Sequence, residues 1–170
     1  MIPVGEEFGL VMSGGGARAA YHVGLLRVLA GHFGDLKIPI LTGVSAGAIN
    51  AAYLASHTES FPEKVENIVR LWSDLSIEDV FRADSLSLSK YVSTWGLRLL
   101  SGGHRTRPPR GFVDTEPLDG LIERMSGAKD RVLVGVEENL ARGNLKAVAI
   151  TASSYSTGLS ITWVEGRNQM

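Results

Sequence analysis

Ser45 stands between two glycines in Gly43-Val44-Ser45-Ala46-Gly47, one residue after the apolar run Ile38-Pro39-Ile40-Leu41. A free hydroxyl is a poor nucleophile. It needs an activating base, an exposed position and donors for the oxyanion that forms when it attacks an ester carbonyl. A sharp strand-to-helix turn would lift Ser45 out of a sheet. Gly43 and Gly47 permit such a turn, because larger side chains there would strike the adjoining backbone. Ala46 would present its N–H at the positive end of the following helix, where developing negative charge is favoured. The same five residues also fit a serine at an ordinary strand-helix junction, so the motif alone leaves both readings open.

Upstream lies a second glycine loop, Gly14-Gly15-Gly16-Ala17-Arg18. Bare glycine amides at the start of a helix form an anion site. They suit an oxyanion hole serving Ser45. They also suit a dinucleotide fingerprint, since Gly14-x-Gly16-x-x-Ala19 fits G-x-G-x-x-G/A, or a tight turn with no ligand. The dinucleotide reading demands an acid at the end of the second strand, about 20 residues on. That strand runs instead into Thr42-Gly43-Val44-Ser45, and Asp35 precedes it. The weight therefore falls on the oxyanion hole.

A Ser-Asp-His triad is a third arrangement, with Ser45, Asp79 or Asp84, and His104 in α/β-hydrolase order. Such elbows follow more strands than the two found here, and His104 lies in a stretch rich in Gly, Pro and Arg. His22 reads as a helix-face residue, and His32 and His57 sit near helix ends where the dipole favours them. No histidine pair has metal-ligand spacing. Arg105, Arg107 and Arg110 read as a solvated loop before they read as a headgroup site.

These groups need elements to hold them. Phe8 to Met12 predicts a buried strand, and Ala19 to His32 a helix with Val23, Leu26 and Ala30 in one apolar stripe. Ile38 to Thr42 predicts the second strand, Gly43 to Gly47 the turn, and Ala48 to Ser56 a small-residue helix. Strand, helix, strand, helix in this order means right-handed crossovers and a parallel sheet, hence an α/β fold. Helices follow at Pro62 to Leu75 (Val65, Ile68, Val69 and Trp72 at core spacing), Leu86 to Leu100, Thr115 to Met125 and Arg131 to Arg142. Ser101 to Gly111 reads as an exposed loop. Leu145 to Ala152 and Leu159 to Val164 predict a hairpin across the turn Ser153 to Gly158.

Bulk properties narrow the class. The 170 residues fit one domain, and 44% hydrophobic with 21% charged residues can bury a core. A formal net charge of -1 gives no electrostatic ground for nucleic-acid binding. With no cysteine, disulfides, thiolate catalysis and cysteine-based zinc sites are excluded. Met1 to Glu7 carries acids where a signal peptide needs Lys or Arg, and no stretch approaches the ~20 apolar residues of a membrane span. The expected location is the cytoplasm or the periphery of a membrane.

Met12-Ser13-Gly14-Gly15-Gly16-Ala17-Arg18-Ala19 and Thr42-Gly43-Val44-Ser45-Ala46-Gly47-Ala48-Ile49-Asn50-Ala51 resemble the patatin-like phospholipase family, in order and in spacing. The resemblance continues through Phe112 to Leu118 and resumes from Leu145 to Gly158 and the strand after it. It implies a three-layer α/β sandwich with a mostly parallel central sheet and helices on both faces. It implies a serine acyl hydrolase of phospholipase A type, working through a Ser-Asp dyad and an acyl-serine intermediate. Ser45 would be the nucleophile in the elbow formed by Gly43, Ala46 and Gly47. Gly14, Gly15 and Gly16 would form the oxyanion loop, supported by Ala17 and by Arg18, which fixes the loop or meets lipid phosphate. The partners implied are a phospholipid or other acyl-ester lipid and a membrane surface; no metal and no cofactor is implied.

Two departures stand out. Ala19 replaces the glycine usual at its place. The dyad aspartate of the family sits in an Asp-Gly-Gly or Asp-Gly-Ala motif after the hairpin, and the only Asp-Gly here is Asp119-Gly120, at an expected helix start. The expectation is therefore that residues 1–170 are the N-terminal portion of a patatin-like domain whose aspartate lies beyond residue 170. A non-catalytic lipid-binding or scaffold module on the same fold is the alternative.

Overall fold

The computed structural model describes residues 8–80, 116–128, 132–154 and 157–167. The chain divides into two compact units, Met1–Asp74 with Ile122–Met170, and Leu75–Leu121.

In the larger unit, strand β1 (Gly9–Met12) leads through a 3-10 turn (Gly16–Ala19) into helix α1 (Ala20–His32). Strand β2 (Ile40–Val44), helix α2 (Ala46–Ser56) and helix α3 (Phe61–Asp74) follow. Helix α4 (Glu116–Ser126) runs across the division between the units. Helix α5 (Val134–Arg142) and strands β3 (Ala147–Ser153) and β4 (Ser160–Gly166) complete the described chain. The sheet order is β1-β2-β3-β4. β1, β2 and β3 are parallel, and β4 closes an antiparallel hairpin on β3. The protein is thus an α/β fold with a mostly parallel sheet flanked by helices, as its strand-helix alternation requires.

The core lies where α2 crosses the sheet. Met12, Leu41 and Val148 are buried on the strands, and Ala48, Ala51, Ala52 and Ala55 on the helix. Small residues let this helix come close, and one contact is main chain on main chain: a Cβ on Gly47 would overlap the carbonyls of Met12 and Ser13. A second close approach joins α5 to the end of α2, where a Cβ on Gly135 would overlap the carbonyl of Ser56. Asn139 secures that junction, its buried Nδ2 donating to the carbonyls of Ala55 (2.9 Å) and His57 (2.8 Å). Helix α1 packs on α3, each burying part of its expected stripe: Val23 and Leu26 on one, with Ala30 half-buried, and Val65 and Ile68 on the other, with Val69 and Trp72 half-buried.

Boundaries depart from the sequence reading in one instructive place. The turn expected over Gly43 to Gly47 contracts to a single residue, because β2 runs on to Val44 and α2 begins at Ala46. Pairing explains the extension: Gly43 lies opposite Met12 on one side and Ile150 on the other, and Val44 lies opposite Thr151. The helix expected over Leu86 to Leu100, the Ser101 to Gly111 loop and Thr115, the expected first residue of the helix reaching Met125, lie outside the described residues.

Candidate active site

Ser45 has φ 54° and ψ -123°, making it the only described non-glycine residue with positive φ. This is a strained conformation for a side-chain-bearing residue, and flanking bonds hold it. The Ser45 N–H donates to the Thr151 carbonyl on β3 (3.0 Å). The Ser45 carbonyl accepts from the Ala48 N–H at 2.9 Å and from the Ile49 N–H at 3.4 Å. Strand pairing thus fixes one side of the elbow and the first helical turn fixes the other. The residue is exposed, and its hydroxyl makes no capping bond to the helix it begins.

Gly43 explains why only glycine precedes this turn: a Cβ there would overlap the carbonyl of Gly47 and the Cα of Ala48. Ala46 opens α2, half-buried, and Gly47 is buried against β1.

The glycine loop lies directly beside the elbow. A Cβ placed on Gly14 would be 3.2 Å from the Cβ of Ser45, 3.3 Å from the Val44 carbonyl and 3.9 Å from the Ser45 hydroxyl. Gly15 (φ 149°) and Gly16 (φ 57°) take positive φ angles that favour glycine. The N–H groups of Gly14 and Gly15 donate to no backbone carbonyl among the described residues. Ala17 and Arg18 are exposed in the 3-10 turn, and the Arg18 side chain folds back so that its Nε lies 3.5 Å from where a Gly15 Cβ would sit. Ser45, Gly14, Gly15, Gly16 and Arg18 therefore occupy one edge of the sheet, at the C-terminal ends of β1 and β2.

Asn50 is the residue that sequence reasoning passed over. It is completely buried, one turn into α2. Its Nδ2 donates to the carbonyl of Ala19, the last residue of the glycine-loop turn, at 3.1 Å. Its Oδ1 accepts from Trp72 Nε1 at 2.9 Å. One amide thereby ties the helix behind the serine to the turn behind the glycines. The signal was available, since a lone asparagine within Ala46-Gly47-Ala48-Ile49-Asn50-Ala51-Ala52 must find partners when its helix is buried.

Asp119 is exposed on α4, within the second unit. Asp79 accepts from the N–H and the hydroxyl of Ser76, both at 2.9 Å, as part of a capping box. Asp84, His104, Arg105, Arg107 and Arg110 lie outside the described residues. No carboxylate or imidazole among the described residues hydrogen-bonds Ser45, and no group of three among their His, Asp and Glu side chains could hold a metal ion. No helix among them is long and apolar enough to cross a membrane.

Perturbed titration among the described residues falls on Tyr53, Lys64 and Glu63, the last lowered by hydrogen bonds from Ser60. Burial, with a smaller contribution from Glu59, pushes the Tyr53 phenol up to about 12, and burial lowers Lys64.

Comparison with known protein families matches residues 10–160 to the family described as Patatin-like phospholipase. Among solved structures, the chain is similar to the type III effector protein ExoU at 18% identity, with a TM-score of 0.44. That match covers 95% of this chain and 36% of the ExoU chain, so the chain spans about a third of that structure's length. Comparison with curated proteins returns no match.

Proposed function

Because the chain belongs to the patatin-like phospholipase family, we propose that it carries the nucleophile and the oxyanion loop of a lipid acyl hydrolase, and that residues 1–170 are the N-terminal portion of that catalytic domain. The observation that supports this reading is the close approach of Gly14 to a serine held at positive φ, whose hydroxyl makes no capping bond to α2.

In this reading Ser45 Oγ attacks the acyl carbonyl of a phospholipid or related ester. Negative charge gathers on the carbonyl oxygen, beside the Gly14 to Gly16 amides and the N–H of Ala46 at the positive end of α2. The tetrahedral intermediate collapses, the C–O bond to the glycerol oxygen breaks, and the leaving oxygen takes the proton that the base removed from Ser45. An acyl-Ser45 ester remains, which water hydrolyses with the same base. The base is an aspartate outside these 170 residues, making a Ser-Asp dyad. Arg18 supports the glycine loop, its side chain folded back over Gly15. The ester substrate is reached from the aqueous side of a membrane surface.

A fluorophosphonate probe tests the nucleophile. Covalent labelling that disappears in Ser45→Ala supports it. Absence of labelling in protein that includes the downstream aspartate favours the non-catalytic lipid-binding module. Comparing esterase activity of the 170 residues with that of the chain plus its native continuation tests the missing base. A general base contributes about 10²–10⁴ in rate, so equal activity in the two would refute that part.

A further inference from the structure

A cavity of about 350 Å³ is bordered by the residues just before β2 and β3 and by the junction of α2 with α3. This is the edge of the sheet opposite Ser45. Leu54 lines the cavity nine residues along α2 from Ser45, which at 1.5 Å per residue is about 14 Å. The volume suits a small organic molecule, at the low end of the range for such sites.

The lining combines an apolar wall with one partly sequestered cation. Leu36, Leu41, Leu54 and Phe61 supply the wall, and Leu41 and Leu54 are themselves buried. Lys64 is half-buried, and its Nζ donates to the Leu54 carbonyl at a long 3.4 Å. An ammonium has three N–H donors, and no carboxylate lies within ion-pair distance of this one among the described residues. Burial lowers its pKa, opposed by the charge of Glu59. The Thr58 hydroxyl, half-buried in the same lining, makes no hydrogen bond among the described residues. Asp35, Glu59 and Lys37 also border the cavity, but all three are exposed and water screens them.

We propose that this cavity binds an amphiphilic monocarboxylate, a short fatty acid, with its carboxylate on Lys64 Nζ and the Thr58 hydroxyl and its chain against the leucines and Phe61. The chemistry is complementary at both ends. A carboxylate takes up the donors that Lys64 leaves unspent, in charge-assisted hydrogen bonds, and offsets the cost of burying the ammonium. The alkyl chain covers wall that is otherwise wet. A neutral ligand leaves the ammonium as it stands, and a cationic one meets it with like charge. The inference stands apart from the hydrolase reading and survives its loss.

The test titrates the 170-residue chain with octanoate, octanol, octylamine and acetate by calorimetry, and follows backbone amides by NMR. Octanoate is expected to bind one to one and to shift the amides of Thr58 and Asn144, both in the lining. Octanol and acetate each carry half of the recognition and are expected to bind at least tenfold more weakly. Lys64→Gln is expected to raise the octanoate Kd about tenfold, equivalent to ~1.4 kcal/mol, and to leave the octanol Kd where it was. Lys64→Arg, which keeps the charge, should fall between. Octylamine binding as tightly as octanoate, an octanoate Kd unchanged by Lys64→Gln, or shifts gathered at Gly14 and Ser45 instead, would overturn the proposal. Acetate binding as tightly as octanoate, or no octanoate binding at all, would do the same. Should Lys64→Gln fail to fold, octanoate against octylamine on the parent chain carries the comparison. Failure of the hydrolase reading shows separately, as absent fluorophosphonate labelling of Ser45, and changes none of these outcomes.

Discussion

Replacing Asn50 by alanine removes both ends of one bridge. The Ala19 carbonyl loses its 3.1 Å donor and the Trp72 indole loses its 2.9 Å acceptor. Asn50 and Ala19 are buried, so water does not readily replace the donor that the Ala19 carbonyl loses. Stranding a buried polar group costs about 1–3 kcal/mol. The indole is half-buried and recovers part of its loss, so the total expected is about 2–4 kcal/mol. For a chain of this size each kcal/mol moves Tm by about 2–4 °C, giving a fall of roughly 5–15 °C by calorimetry. Trp72→Phe strands only Oδ1 and should cost about half as much. The double variant Asn50→Ala/Trp72→Phe should then be less destabilised than the sum of the two, by about 1 kcal/mol. Because Ala19 ends the turn behind the glycine loop, Asn50→Ala should also slow labelling of Ser45 by a fluorophosphonate about tenfold at a temperature where the variant is folded. Strict additivity, or a Tm within a degree or two of the parent, would refute the bridge. A large Tm loss with an unchanged labelling rate would leave it as a packing device unconnected to the loop.

Other consequences can be read from single atoms. Gly14→Ala should fold, since its new methyl meets neighbours at 3.2–3.3 Å, yet it should slow Ser45 labelling at least tenfold while shifting Tm by only a few degrees. Gly47→Ala should fail to give soluble folded protein, because its methyl would overlap the Met12 and Ser13 carbonyls and neither belongs to a movable side chain; a near-parental melting curve would contradict the close approach. At alkaline pH the buried Tyr53 is the group to watch. Its folded value of about 12 exceeds the usual 10, so its neutral form is favoured by folding. The stability it contributes is whole below pH 10 and is lost as pH rises from 10 towards 12. Tyr53→Phe should flatten the fall in stability across that window, measured by urea unfolding.

Much of this arrangement was legible in the sequence, for identifiable reasons. Short apolar runs that stop at glycines marked β1 and β2, and the Val65/Ile68 and Val23/Leu26 stripes placed the buried faces of α3 and α1. The two glycine motifs came out on neighbouring strands, as their order suggested. What escaped were properties that belong to pairs of elements. The length of β2 depends on partners over a hundred residues away on β3, so a local reading assigned Gly43 and Val44 to the turn. The glycines on either side of Ser45 announced a sharp turn, but not the bonds to Thr151 and within α2 that hold its positive φ from opposite sides. Trp72, read as plain core, proved to be half-buried and to spend its indole N–H on Asn50. His22 looked like any helix-face histidine until its ring nitrogen was found without the carbonyl that His32 and His57 both use.

The meeting of Gly47 with the end of β1 sets how this chain is free to diverge. Spacing between the serine and the glycines is dictated by atoms every amino acid shares, apart from two missing methyl groups. Exposed side chains nearby, Tyr21 among them, are then at liberty to change without disturbing that spacing. Descendants of such a scaffold would be expected to vary in their exposed side chains long before they vary in the distance between the serine and the glycines.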